Sequence, residues 1–234
     1  MITQNKQSLV KHQTILDLLS TKIMRKYTLI FWFSFAVNAF IYHGISLNVQ
    51  QIGGNLYVNF AIAGLVEIPS ILLNLVGLRY VGRKWFTVWT MLAASLSYLA
   101  IVLVGAYTTS DNPKYEMVKL VLAMVGKLFI FSSFNVIYIH SGEIFPTVLR
   151  HTGIGSCTIA ARIGSILAPF VKEMSEYYNF TISMLVFGLL AFMATLFTLF
   201  LPETKDKDIP DSVRDVNRID ISKSNTEQST LLDK

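Results

Sequence analysis

The stretch from Glu143 to Pro169 reads EIFPTVLRHTGIGSCTIAARIGSILAP and joins two long apolar runs. Its first third is polar and charged, as expected of a loop between two membrane-spanning segments. Its second part is rich in small residues and carries Arg162 in the middle. A lone guanidinium at the centre of a membrane helix costs roughly 3 kcal/mol on insertion scales, so we expect Arg162 to have a specific role.

The composition of the whole chain is that of a membrane protein. Of its 234 residues, 53% are hydrophobic and 15% are charged, which is more apolar than the soluble norm. The single cysteine, Cys157, excludes a disulfide scaffold and a cysteine metal site within the chain. The net charge of +5 resides at the chain ends and in short loops, which argues against a nucleic-acid-binding face.

Enzymatic chemistry has no support in the sequence. It contains no metal-ligand cluster, nucleophile arrangement or phosphate-binding loop at a useful spacing. We therefore expect neither an enzyme nor a cofactor.

Six apolar segments, each near the ~20 residues that a spanning helix requires, predict an all-α membrane protein. They lie at about 27–48, 55–78, 85–107, 117–140, 152–171 and 178–201. We expect residues 1–26 to form a cytoplasmic linker or an amphipathic interfacial segment, and residues 27–204 to form the bundle. The polar composition of residues 205–234 predicts a disordered cytoplasmic tail.

The distribution of lysine and arginine predicts the orientation of these helices. Fifteen of these residues fall in the terminal segments and loops of one side. Three fall on the other side, namely Lys114, Lys119 and Lys172. Both termini are therefore expected in the cytoplasm.

Three charges lie well inside the predicted spans. Glu67, Lys127 and Arg162 are each 10 to 12 residues from a helix end, which places them roughly 15–18 Å below a surface. Secondary transporters bind substrates and coupling ions near this depth, so these side chains are candidate substrate ligands. Alternatively, Glu67 and Lys127 pair inside the bundle and leave only Arg162 for an anionic group.

The helix that carries Arg162 has two distinct faces. Ser156, Ala160, Gly164 and Ala168 form a stripe of small residues that would let another helix approach closely. Arg162 lies about 200° from Ala160 and Gly164, so it is expected to point away from that stripe and into a polar cavity. On the first helix, Phe35 and Tyr42 are candidates for binding or for packing.

Three motifs at the predicted helix ends resemble the loop signatures of sugar-porter-like proteins of the major facilitator superfamily. They are Gly82-Arg83-Lys84, Glu143-x6-Arg150 and Pro202-Glu-Thr-Lys205. Four further segments resemble the organic ion transporters of solute carrier family 22, namely Gly53-Gly-Asn-Leu-Tyr57, Leu65-Val-Glu-Ile-Pro69, Val125-Gly-Lys-Leu-Phe129 and Ala161-Arg-Ile-Gly-Ser165. The resemblance extends from about residue 15 to residue 213.

This resemblance implies a fold of two six-helix halves that rock around a central site, of which this chain would be the carboxyl-terminal half. It implies that Arg83, Glu143, Arg150 and Glu203 are gating residues at the cytoplasmic helix ends. It also implies substrate contacts, with Glu67 facing cations, Arg162 facing anions or carnitine-type molecules, and Tyr42 and Phe35 lining the cavity.

The chain departs from the family pattern in two respects. Arg79 stands where the family commonly has an aspartate, so the acidic member of that loop signature is missing. In addition, six further helices would be needed to enclose the site, so we expect an amino-terminal half or a partner chain.

Two short motifs would concern the fate of the protein in the cell. Glu227-Gln-Ser-Thr-Leu231-Leu232 resembles an acidic dileucine sorting signal read by clathrin adaptors, although an unused tail is equally compatible with the sequence. Asn179-Phe-Thr181 is a glycosylation sequon that abuts a helix, which argues against its use.

The sequence thus predicts a multi-pass plasma-membrane transporter of small organic ions, with a cation, an anion or a zwitterion such as a carnitine-like molecule as substrate. Two alternatives remain at this point. One is a sugar porter, which shares the loop motifs but does not require charges at mid-depth. The other is a truncated subunit or isoform that does not transport by itself.

Overall fold

The computed structural model describes residues 18–48, 56–107, 113–177 and 180–205. These ranges contain seven helices and no strand. The helices are α1 (Lys22–Asn48), α2 (Leu56–Leu65), α3 (Glu67–Tyr80), α4 (Arg83–Tyr107), α5 (Pro113–Ile144), α6 (Arg150–Tyr177) and α7 (Phe180–Thr198). Because α2 and α3 form one continuous span from Tyr57 to Tyr80, six spans in these ranges are long and apolar enough to cross a membrane. The predicted all-α membrane fold is confirmed.

Several helices extend further than the predicted spans. Helix α5 reaches from Pro113 to Ile144, and α6 runs from Arg150 to Tyr177 with Pro169 inside it. The apolar segments mark only the part of a helix that matches the hydrocarbon core, whereas the helices continue through the polar interfaces. Residues 1–17, Asn179 and residues 206–234, with Glu227, Leu231 and Leu232 of the sorting motif, lie outside the described residues.

Helix α1 is at the centre of the bundle. It packs most extensively against α6 and also contacts α5 and α7. Helix α4 packs against α5 and α7, and α3 packs against α5. Two hydrophobic clusters result, one around Phe40, Tyr98 and Phe187, and the other around Phe31, Phe35 and Phe145.

The close approach of α1 and α6 depends on Gly164. A Cβ atom at this position would overlap the carbonyl oxygen of Ala36, so a larger residue would not fit without helix movement. Two turns earlier, Trp32 Nε1 donates a hydrogen bond to Ser156 Oγ at 2.9 Å. The small-residue stripe of α6 therefore faces α1, as its role in close helix packing predicted.

Large apolar side chains cover the outer surface of α2 and α3. Tyr57, Leu65, Leu72 and Leu75 each expose 60% or more of their surface. In a membrane, an apolar face of this kind can contact lipid tails or other helices without a free-energy penalty. The second span is thus attached to the bundle through α5 and open on its other side.

Candidate functional site

The first group of site residues surrounds the carboxylate of Glu67. Glu67 begins α3, and its Oε1 atom lies 3.1 Å from Lys127 Nζ on α5. Tyr42 on α1 donates a hydrogen bond from its hydroxyl to the same oxygen at 2.8 Å. The structure therefore brings together three of the predicted ligands, from three different spans, around one carboxylate.

Within this group, Glu67 and Lys127 differ in accessibility. The side chain of Lys127 is 5% exposed, whereas that of Glu67 is 27% exposed. Lys127 Nζ also donates a hydrogen bond to the carbonyl oxygen of Ala63 at 2.8 Å and lies 5.4 Å from the ring centre of Tyr42. Lys127 is thus an internal counter-ion, and the carboxylate is the member of the pair that a ligand can reach.

Aromatic rings extend from Tyr42 along one side of this group. The ring of Tyr42 lies 5.7 Å from that of Phe131 and 6.4 Å from that of Phe134, between ring centres. Phe35, in contrast, is fully buried, with its ring 4.7 Å from that of Tyr138. In this conformation Tyr42 borders the site, and Phe35 packs behind it.

Arg162 lies on α6, on a different part of the bundle surface. Its side chain is exposed, and it forms no ion pair or hydrogen bond with any of the described residues. The residue next to Arg162, Ile163, is 56% exposed, whereas Gly164 is buried against α1. Arg162 therefore projects away from the α1–α6 contact, as predicted, and its charge is open to a ligand or to another helix.

A residue that the sequence did not single out as a site residue connects α1 to the helix of Arg162. His43, next to Tyr42, donates from Nδ1 to the carbonyl oxygen of Ala39 at 2.8 Å. The same nitrogen lies 3.3 Å from Ser165 Oγ, and Ser165 is one helical turn beyond Arg162. The adjacent positions of Tyr42 and His43 were visible in the sequence, but their partners on α3 and α6 were not.

The predicted gating residues lie at the opposite end of the spans, where α4 begins. Arg83 Nε is 3.0 Å from Glu143 Oε1, and the hydroxyl of Thr204 donates to Glu143 Oε2. The Glu203 carboxylate accepts hydrogen bonds from the backbone N–H groups of Arg83 at 3.0 Å and of Lys84 at 3.4 Å. We call Arg83, Glu143, Glu203 and Thr204 the helix-end network.

The backbone donors change the acidity of Glu203. Burial raises the pKa of this carboxyl, but the backbone N–H groups of Lys205, Lys84, Trp85 and Arg83 outweigh burial and hold its pKa below the ordinary value. The carboxylate also sits at the positive end of the α4 dipole, which favours its charged form. Glu203 thus acts as an anionic cap for α4.

Arg150, the fourth predicted gating residue, is not bonded to this network. Its Nε and Nη2 atoms are buried and have no hydrogen-bond partner among the described residues. Buried guanidinium nitrogens without a partner are costly, so a contact with a group outside the described residues, or in another conformation, is expected. Of the four residues that the resemblance implied for gating, the structure joins Arg83, Glu143 and Glu203 and leaves Arg150 apart.

Comparison with known proteins shows similarity to a family of transporters. A family model described as "Sugar (and other) transporter" matches residues 4–212. The chain is 40% identical over 202 residues to a protein named organic cation transporter protein from Drosophila melanogaster, covering 86% of this chain and 35% of the relative. It is 33% identical over 210 residues to solute carrier family 22 member 3 of Mus musculus, covering 90% of this chain and 37% of that relative.

A human relative has a similar relationship to the chain. Solute carrier family 22 member 13 is 35% identical over 201 residues, which cover 86% of this chain and 35% of the relative. The chain thus spans little more than a third of the length of these three relatives, which are named as transporters or solute carriers and not as enzymes. Six spans, the loop motifs at their ends and the match over residues 4–212 show that the chain belongs to the sugar (and other) transporter family of the major facilitator superfamily.

Proposed function

We propose that this chain supplies the carboxyl-terminal six-helix half of an organic ion transporter that works by alternating access. The observation that carries this proposal is the coexistence of an accessible carboxylate, Glu67, and an exposed guanidinium, Arg162, which has no ion-pair partner in the described part of the chain. Intramembrane charges of this kind mark ligand or ion pathways, because lipid-facing charges are too costly. The Drosophila relative's name, organic cation transporter protein, supports the organic-ion part of the proposal.

Glu67 would bind the cationic group of a substrate. Its side chain is more accessible than that of Lys127, Tyr42 contacts its carboxylate, and the ring of Phe131 lies next to that of Tyr42. Aromatic faces attract organic cations through the ring quadrupole, most strongly where water is excluded. Lys127 would therefore balance Glu67 from behind without contacting the substrate.

Arg162 would bind the anionic group. A guanidinium can hold a carboxylate through two parallel hydrogen bonds, and Arg162 has no competing acid among the described residues. An accessible carboxylate and an exposed guanidinium within the spans favour a zwitterionic substrate, such as a carnitine-like molecule. Each side chain would also bind a simple organic cation or anion.

Arg83, Glu143 and Glu203 would act as gating residues. They join the ends of α4 and α5 to the segment after α7, so helix movement at this end requires that these bonds break. Arg150 would enter the network in another state of the cycle, which would give its buried nitrogens acceptors.

The remaining parts of the proposal concern the surroundings of the chain. We propose a multi-pass protein of the plasma membrane with both termini in the cytoplasm, as the lysine and arginine distribution favours. An amino-terminal six-helix half, or a partner chain, would form the other wall of the cavity at Arg162. Clathrin adaptors would bind the tail through Glu227, Leu231 and Leu232.

The proposal can be tested by uptake in cells that express a chimera. This chain replaces the segment that it matches in the Drosophila relative, and uptake of tetraethylammonium, benzoate and carnitine is measured. Arg162→Ala should lower benzoate and carnitine uptake at least tenfold and leave tetraethylammonium uptake within twofold. Glu67→Gln should lower tetraethylammonium and carnitine uptake and leave benzoate uptake unchanged.

The control is Arg25→Ala, which removes an exposed arginine near the start of α1. It should leave all three substrates unaffected at equal surface expression. Equal losses for all three substrates in Arg162→Ala, or no loss, would contradict the assigned role. Inhibition of uptake by glucose, and not by organic ions, would favour a sugar porter. If neither the parent chimera nor any variant takes up substrate, a non-transporting subunit is favoured.

A further inference from the structure

The second span is interrupted beside the charge pair. Helix α2 ends at Leu65, Val66 adopts a turn, and α3 begins at Glu67. Pro69 has no N–H group, so the carbonyl of Leu65 cannot receive its usual bond from four residues ahead. The interruption thus exposes backbone acceptors at a depth where water is scarce and every unsatisfied polar group is costly.

Lys127 satisfies one of these acceptors from a different helix. In an unbroken helix the carbonyl of Ala63 would accept from the Glu67 N–H group. Here Lys127 Nζ donates to that carbonyl oxygen at 2.8 Å while pairing with Glu67 Oε1 at 3.1 Å. A single ammonium therefore contacts the last turn of α2 and the first residue of α3 at once.

The surroundings of the interruption permit movement. A Cβ atom at Gly64 would meet nothing within 4 Å, so the outward side of this turn is unpacked, whereas Ala63 on its inner side is buried. The neighbouring side chains of Leu65 and Ile68 are 62% and 59% exposed. On the inner side, Lys127 contacts both helical segments through one ammonium group, beside the apolar packing of Ala63 and Val66.

We infer that Lys127 is a positioning residue that caps the interruption of the second span, and that a cation bound at Glu67 loosens this cap. The first part follows from the two contacts of the ammonium. The second part rests on the proposed function. A ligand cation that draws Glu67 away leaves the nearly buried Lys127 charge uncompensated, which is costly, so its ammonium leaves Ala63 as well. Ligand binding is thereby coupled to bending at Val66.

A simpler role for Lys127 is charge balance alone, and the double variant Glu67→Gln/Lys127→Met separates the two. This variant removes both charges together, so no buried ion remains unpaired. If Lys127 only balances Glu67, the backbone of the second span should behave as in the parent. If Lys127 caps the interruption, the carbonyl of Ala63 lacks its hydrogen-bond partner in the double variant. The backbone hydrogen bonds of the second span should then open more often.

The measurement is amide hydrogen exchange by mass spectrometry on the full chain in lipid nanodiscs. We expect exchange in peptides covering residues 62–71 to become about tenfold faster or more in Lys127→Met and in the double variant, because hydrogen bonds from charged donors are among the stronger ones. Peptides of α4 should remain unchanged. The control Lys119→Met removes another lysine from α5 and should leave residues 62–71 unaffected.

Parent-like exchange in the double variant would overturn the capping role. In the second arm, tetraethylammonium should accelerate exchange of residues 62–71 in the parent chain, and benzoate should not. If tetraethylammonium is transported by the chimera but leaves this exchange unchanged, the coupling is refuted. If the chimera transports no cation while the double variant still exchanges faster, the proposed function fails and the capping role stands.

Discussion

Replacement of Glu203 by alanine should destabilise the bundle by removing the cap of α4. The carboxylate accepts from the backbone N–H groups of Arg83, Lys84 and Trp85, at 3.0, 3.4 and 3.4 Å. These are among the first N–H groups of the helix, which have no partners within it. Gly82 makes the approach possible, since its φ of 94° is in the left-handed region and the Glu203 carboxylate lies 3.0 Å from where a Cβ atom would be.

The size of the effect follows from the two contributions that alanine removes. Loss of an N-terminal cap costs about 0.5–2 kcal/mol, and loss of a negative charge at the helix dipole costs about 0.3–1 kcal/mol. The sum is about 1–3 kcal/mol. In a chain of this size, each kcal/mol lowers the melting temperature by about 2–4 °C. We therefore expect Glu203→Ala to lower the melting temperature by roughly 2–12 °C.

Thermal unfolding of the purified full chain in detergent measures this change. The matched control is Glu173→Ala, because Glu173 is an exposed glutamate on α6. It should leave the melting temperature within about 1 °C of the parent. A loss in Glu203→Ala no larger than that of the control would show that the backbone bonds to Glu203 contribute nothing to stability.

The same cap should make stability depend on pH. Because the pKa of Glu203 is held below its ordinary value of 4.5, its stabilising effect is fully present above that value. The effect is lost as the pH falls through the lowered pKa, where the carboxyl takes up a proton. The melting temperatures of the parent and Glu203→Ala should therefore converge below pH 4.5, and a difference that persists at the lowest pH tested would contradict the electrostatic part of the cap.

Two further predictions concern helix packing and the carboxylate site. Gly164→Ala should destabilise the bundle by about 1–3 kcal/mol, because its Cβ atom would overlap the carbonyl of Ala36. The control is Gly155→Ala on the same helix, whose Cβ atom would meet nothing within 4 Å. This control should be neutral or stabilising by up to about 1 kcal/mol. Thermal unfolding of the two variants measures this difference, and equal melting temperatures would refute the packing role of Gly164. Tyr42→Phe removes the hydrogen bond to Glu67 and should raise the chimera's KM for tetraethylammonium a few-fold. Benzoate uptake is the internal control. An equal change in KM for both ions would contradict a specific role of Tyr42 at the carboxylate.

The fold could be predicted from the sequence because hydropathy and length directly determine which segments span a membrane. The same reasoning placed Glu67 and Lys127 at similar depths, and their alternative interpretation as a pair is the arrangement that the structure contains. The contact of Lys127 with Ala63 could not be predicted, because it is directed to a backbone carbonyl and depends on the interruption at Val66. Pro69 was the one local signal for that interruption.

The aromatic residues of α1 show why helical spacing alone does not define a site. Phe35 and Tyr42 are seven residues apart and lie on nearly the same face of α1. Phe35 is fully buried and contacts the rings of Phe134 and Tyr138 of α5, whereas two turns further on Tyr42 is partly exposed and contacts Glu67 of the second span. Residues on one face of a helix thus differ in burial and in contacts because different helices pack against each part of that face. This packing joins spans that are distant in the sequence.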